Sequence, residues 1–173
     1  VQDEPGVLNR VSSYIRRKNF NIESIAAGHT EKKGITRITL VLNEPNRTKQ
    51  NIVVNSIKQL VDVYDVIDVT SIKSHIREYA MIKILLSKIE KKSIDKIITS
   101  INGNIVSSQN NIYILELIGN IDDVESSIIR LKKFNILEIV RSGMVAMVEG
   151  NNPSYRPYLK RTEPNGSTFR IME

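Results

Sequence analysis

Residues 3–28 hold the stretch with the most chemical character. Asp3-Glu4-Pro5-Gly6 reads as a short acidic turn, and Val7, Leu8, Val11 and Ile15 follow it at helical spacing. A glycine turn that feeds a helix leaves several backbone N–H groups of the first turn without intrahelical acceptors. Together with the helix dipole, those groups suit a small carboxylate. Asn21-Ile22-Glu23-Ser24-Ile25 then opens a strand. No nucleophile or metal cage accompanies these residues, so the segment points to recognition of a small anionic or zwitterionic ligand. A plain turn is the competing reading, since Pro5 can simply start a helix.

The remaining residue types with reactive side chains do not assemble into a site. His29 and His75 are the only histidines, lie most of a domain apart and have no cysteine companions; they read as exposed loop or strand-end residues, and no metal site is expected. Asp62, Asp65 and Asp68 lack the intervals and central glycine of a calcium loop. The pairs Ser12-Ser13, Ser107-Ser108 and Ser126-Ser127 have no nucleophile-elbow context, and phosphate-binding glycine loops are missing. No catalytic residue is therefore expected in this chain.

Its composition narrows the classes further. The chain has 173 residues, 40% of them hydrophobic, enough for one large domain or two small ones with packed cores. Cysteine is absent, which excludes disulfides and thiolate metal sites. No apolar run reaches the ~18 residues that span a bilayer. The formal charge of +6 raises nucleic acid as a partner. The cations, however, are dispersed: Arg16, Arg17 and Lys18 fall at the expected end of one helix, and Lys132-Lys133 near the end of another, where each favours the helix dipole by ~0.3–1 kcal/mol.

The elements that must position the ligand segment follow from periodicity. Besides the stripe from Val7 to Ile15, helical stripes run through Val53, Ile57, Leu60 and Val61, through Ile94, Ile97, Ile98 and Ile101, and through Ile121, Val124, Ile128 and Leu131. Ser93 and Asn120 stand at N-cap positions, with Asp122-Asp123 in a first turn. Strands are predicted over Ile22–Gly28 and Ile35–Asn43, joined by a hairpin at Thr30–Gly34. Further strands are predicted over Val63–Ser71, Glu78–Leu86, Asn104–Ser108, Ile112–Gly119, Ile136–Val140 and Met144–Val148, with a second hairpin across Gln109-Asn110-Asn111. The order is α-β-β-α-β and then β-α-β-β-α-β. This is an α+β chain of two ferredoxin-like βαββαβ units, the first lacking its opening strand. Val1-Gln2 read as the stump of that strand, which implies further apolar residues upstream. The boundaries expected are 1–71, 72–150 and a tail over 151–173.

Two segments lack an obvious cover or role. Ile112, Ile114 and Ile118 occupy one strand face while Tyr113, Leu115 and Leu117 occupy the other, although a two-layer unit buries only one. Another subunit would cover the extra face, as would the tail or the neighbouring unit. Asn151–Glu173 has three prolines, with Tyr155, Tyr158 and Phe169 among basic residues and no regular period. It reads as disordered or as an extended partner-binding arm.

The wording of the sequence is also recognisable. Asp3-Glu4-Pro5-Gly6-Val7-Leu8-Asn9-Arg10-Val11, then Arg16-Arg17-Lys18-Asn19-Phe20-Asn21-Ile22-Glu23-Ser24-Ile25, closely resembles the amino-terminal signature of the small, regulatory subunits of acetohydroxyacid (acetolactate) synthase. Arg37-Ile38-Thr39, Gln59–Val63, Arg77-Glu78 and Glu138–Gly143 continue the resemblance in family order over about residues 1–150. The resemblance implies an ACT domain followed by an ACT-like domain, with no cofactor of their own. It also implies a catalytic partner carrying thiamine diphosphate, Mg and FAD, which this chain activates and renders sensitive to end-product inhibition.

By the same resemblance, a branched-chain amino acid, with valine, leucine and isoleucine undistinguished, binds between two ACT domains of a homodimer. It would meet Asp3, Gly6, Val7 and Leu8 on one chain and Asn21 and Ile22 on the other, with Gly28 near the side-chain pocket. Many bacterial relatives have Asn where this chain has Asp3, whose carboxylate accepts from the ligand ammonium but repels the ligand carboxylate. Arg141-Ser142-Gly143 matches a family block after the last helix and is expected to contact, or help activate, the catalytic subunit, Arg141 offering its guanidinium to a carboxylate across an interface; Arg141 can equally cap the carbonyls of its own domain. The implied compartment is the cytoplasm, or a plastid stroma or other organelle matrix in a eukaryote, without membrane attachment. Two other readings are a free-standing amino-acid sensor for another enzyme and a basic RNA-binding module. The strand Ile35–Asn43 carries no aromatic residue and the second unit offers few, Tyr113 among them, which disfavours base stacking.

Overall fold

A computed structural model describes residues 1–150. The tail expected over 151–173 lies outside the described residues. Among the described residues, six strands form two sheets accompanied by four helices: α1 (Val7–Arg17), β1 (Ile22–His29), β2 (Thr36–Leu42), α2 (Arg47–Ile57), β3 (Ser74–Leu85), α3 (Lys91–Ser100), β4 (Asn104–Gln109), β5 (Ile112–Gly119), α4 (Ile121–Leu131) and β6 (Asn135–Val148).

The second unit is the complete ferredoxin-like pattern. Its strands order β4-β5-β3-β6, antiparallel throughout, with β3 central. One face of the sheet presents Ala80, Ile82, Ile84, Leu115 and Leu117 to Ile94, Ile98, Val124, Ile128 and Leu131 of the two helices, a single buried cluster closed by Leu86 and Phe134. Asn120 caps α4 as expected, its side chain accepting from the Asp123 amide at 2.8 Å. Asn110 and Asn111 both hold positive φ, the requirement of a tight two-residue hairpin, and pin the β4–β5 register.

Three expectations here need correction. The segments around Ile136–Val140 and Met144–Val148 form one strand, and β3 begins at Ser74, four residues before Glu78, because it pairs with the whole of β6. Ser93 is not the cap of α3. The helix is entered through a Ser87-x-x-Glu90 box, in which the Ser87 amide donates to Glu90 Oε2 at 2.7 Å and the Glu90 amide to Ser87 Oγ at 3.4 Å. The Ser87 side chain and then its amide hold the Glu90 carboxyl below its usual range.

The first unit is smaller. Val11 and Ile15 of α1 pack with Val53 and Ile57 of α2 and with Val63 over the β1–β2 hairpin. Val1–Asp3 lie beside β2: the Val1 ammonium donates to Thr36 O at 2.9 Å, Thr36 N to Val1 O at 3.0 Å, and Gln2 bridges Ile35. On their other side the Gln2 amide meets Asp62 O at 2.8 Å. Residues 1–3 thus occupy the inner position that an opening strand takes in this topology.

The predicted strand Val63–Ser71 does not form. Residues 58–73 run through turns, and α2 stops at Ile57, so Val61 stands 78% exposed. The aspartates supply the physical reason. Asp65 accepts from the Val66 amide at 2.8 Å and Asp68 from the Thr70 amide at 2.9 Å, so local side-chain acceptors satisfy donors a ladder would need. The adjacent edge offers this segment little more than the Gln2 amide.

Candidate functional site

Gly6 adopts φ 85°, a left-handed conformation that turns the chain into α1 without a side-chain cap. Val7, 3% exposed, anchors the helix start in the core, whereas Leu8 is 44% exposed at its mouth. The first turn carries no acidic residue. Of its amides, Val7 donates back to Glu4 O at 3.3 Å. Such a turn presents N–H groups and the positive end of a helix to solvent, the geometry that receives a carboxylate.

Side chains from both strands of the hairpin fix the neighbouring carboxylate. Asp3 Oδ1 accepts from Thr36 Oγ1 at 2.9 Å, and Asp3 Oδ2 lies 3.2 Å from His29 Nδ1. Arg10 reaches back from α1, its Nε bonded to Asp62; a Cβ added at Gly6 would sit 3.2 Å from Arg10 Nη1. The turn is therefore bordered by two acids, each with a basic neighbour. His29, Thr36, Arg10 and Asp62 were not among the residues singled out for the site. Their contacts span 26 to 52 positions, and no local spacing signals them.

Asp3, Gly6, Val7 and Leu8 come together, but Asn21 and Ile22 do not join them. Those two residues follow the far end of α1, roughly 16 Å along the helix at 1.5 Å per residue, and begin the strand whose other end carries His29. One chain thus carries the two sets at opposite ends of the same helix. Gly28 lies on the exposed part of β1, with open space where a side chain would be. Beyond β2, β1 has no strand partner among the described residues.

Arg141, Ser142 and Gly143 build a joint within the second unit. Arg141 donates from Nε to Glu78 Oε1 at 2.9 Å and from Nη2 to Glu78 Oε2 at 2.6 Å, while Nη1 reaches Glu125 Oε2 at 3.1 Å. Glu78 is 5% exposed, and this two-pronged bond compensates its buried charge. The Glu78 bonds also hold the guanidinium above its ordinary pKa. Ser142 Oγ accepts from the Tyr79 amide at 3.1 Å and donates to Gly143 O at 2.7 Å. Ser142 and Gly143 together oppose Tyr79, a bulge in the β3–β6 ladder, and Gly143 holds φ 77°.

The sheet face turned away from α3 and α4 displays Met81 and Leu85 of β3, Ile112, Ile114 and Ile118 of β5, and Val140 of β6, with Ile118 61% exposed. Lys83 pairs with Glu138 there, and Glu116 accepts from both the Tyr79 hydroxyl and Asn104. Nothing among the described residues covers this face. Nor do they gather three potential metal ligands or form a helix long and apolar enough to cross a membrane.

Comparison with known proteins places both units together. Residues 1–67 match the ACT domain of the "AHAS small subunit-like" type, and residues 77–150 match the "Small subunit of acetolactate synthase" family. The acetolactate synthase small subunit of Bacillus subtilis is 31% identical over 150 residues, covering 87% of each chain. That of Aquifex aeolicus is 34% identical over 149 residues, 85% of this chain and 77% of its own. The crystal structure of the Thermotoga maritima acetolactate synthase small subunit superposes with a TM-score of 0.78 at 30% identity, covering 88% of this chain and 94% of the other.

Proposed function

Because this chain belongs to the acetolactate synthase small-subunit family, we propose that it is the non-catalytic regulatory subunit of that synthase, activating the catalytic subunit and conferring feedback inhibition by a branched-chain amino acid. The observation that carries the ligand half of this reading is the split site. The Asp3–Leu8 turn and Asn21-Ile22 sit at opposite ends of α1, so they can meet on one ligand only when a second copy supplies the other half. The unpaired edge of β1 is the place for that copy, and a two-fold pairing there would build two equivalent sites.

Within such a site the α1 amides and Arg10 receive the ligand carboxylate, Asp3 accepts from its ammonium, and Leu8 and Gly28 border its side chain. The turn supplies positive potential and the carboxylate a single acceptor, which together match a zwitterion rather than a dianion. The carbon–carbon bond chemistry, with thiamine diphosphate, Mg and FAD, belongs to the catalytic partner. A ligand held between two chains makes regulation natural, since any change in their relative placement alters both half-sites. RNA binding is disfavoured by the acids Glu116 and Glu138 on the open sheet face, where Tyr79 is tied to Glu116.

Titration calorimetry of the purified chain with valine, leucine and isoleucine tests the proposal. Saturable binding of at least one, at one ligand per chain, is expected. Absence of binding by all three would reject the effector assignment.

A further inference from the structure

β6 runs past β1 and β2, and there two stretches more than a hundred residues apart in the chain come together. The bulge of β6 brings Gly143 beside Ser24 of β1: a Cβ placed at Gly143 would lie 3.3 Å from Ser24 Cβ and 3.5 Å from both Ser24 Oγ and Ile25 O. Gly143 is thus a glycine both for its left-handed φ and for the approach of another strand. Ser24 has its own irregularity, since the β1–β2 register shifts between Ile22 and Ser24. Its hydroxyl oxygen is buried without a hydrogen-bond partner.

We propose that the Ser24–Gly143 contact is the joint through which effector occupancy at the amino-terminal unit is transmitted to the second unit. This rests on the effector reading given above. Asn21 and Ile22, the half-site contributed across the dimer, lie three and two residues before Ser24 on the same stretch. On the other side, Arg141 directly precedes the bulge and grips Glu78 of β3 and Glu125 of α4. A displacement of β1 that bears on Gly143 therefore acts on the residue that locks β6 to both layers of the second unit. A side chain at Gly143 would close the remaining space to Ser24, so the approach of the two strands depends on the glycine.

The Ser24 hydroxyl is buried at this point without a hydrogen-bond partner, and a shift of β1 that gave it one would gain that bond. Ser24 and Gly143 are positioning residues in this account. Neither touches the effector.

The test is a swap of volume across the joint in the full-length chain. Gly143→Ala adds a methyl against Ser24, Ser24→Gly leaves a gap, and the double variant exchanges one for the other. Two quantities are read: the valine Kd of the chain by calorimetry, and the maximal valine inhibition of synthase reconstituted with the cognate catalytic subunit. Each single variant should keep its Kd within about threefold of wild type, the scatter of independent sites. Each should also lose roughly half or more of the maximal inhibition, and the double variant should recover most of it, a sign of direct coupling. Full inhibition in both single variants would overturn the joint. So would a double variant as defective as Gly143→Ala alone, since the defect would then be backbone strain at φ 77°. If the wild-type chain binds none of the three amino acids, the effector reading fails and the joint fails with it. If the wild type binds and is inhibited and both single variants are inhibited as fully, only the joint fails.

Discussion

At the scale of single residues the account rests on Gly6 and Arg141. Gly6 combines positive φ with an uncapped helix start. A Gly6→Trp chain should keep its circular-dichroism spectrum, lose about 1–3 kcal/mol of stability to backbone strain, and show no calorimetric heat with valine. Valine binding at wild-type affinity in that variant would place the site elsewhere. Arg141→Ala leaves the Glu78 carboxylate buried without its guanidinium partner. Removing one member of such a pair costs ~3–5 kcal/mol, a range that the partial exposure of Arg141 places at its lower end. The chemical denaturation midpoint should fall accordingly, and Glu78→Gln should fall less. The turn and the Arg-Ser-Gly block were legible in the sequence because each is local. Thr36 and His29 around Asp3, and Glu78 beneath Arg141, were not, because each contact closes a loop of 26 residues or more.

At the scale of elements, the four helices and the strands of the second unit could be read from periodicity because burial there is one-sided. In β3, Ala80, Ile82 and Ile84 face the helices while Lys83 faces outward to Glu138. The connector 58–73 defeated the same rule. Its alternation of Val, Ile and Asp reads as a strand, yet the aspartates bond their own neighbours instead of leaving donors for a ladder. The Thr70 side chain foremost, then its amide and Arg47, hold the Asp68 carboxyl below its usual range against the opposing effect of burial. A carboxyl lowered in the folded state stabilises the fold above its unfolded pKa, and that contribution is lost as pH falls through the folded value. Asp68→Asn should therefore be less stable than wild type at neutral pH. The two should converge below about pH 4 as the wild-type carboxyl protonates. Parallel stability curves from neutral to acid pH would show that Asp68 does not hold the connector.

At the scale of the molecule, the first unit carries the candidate ligand turn beside a cluster of five buried residues, and the second, with a cluster of twelve, is the sturdier platform. The units meet where β6 runs past β1 and β2, and the second unit's open sheet face remains available to a protein partner. That division fits a chain whose small unit senses while its large unit holds and transmits. The central claim is that binding at the first unit governs an enzyme that this chain does not contain. The direct measurement is acetolactate formation by the cognate catalytic subunit, assayed alone, with this chain, and with this chain at saturating valine, leucine or isoleucine. The account predicts a rise in activity when the chain is added and a fall when at least one of the three amino acids is then supplied, while the chain by itself forms no product. Activity unchanged by the chain, or raised by it yet indifferent to all three amino acids, would contradict it.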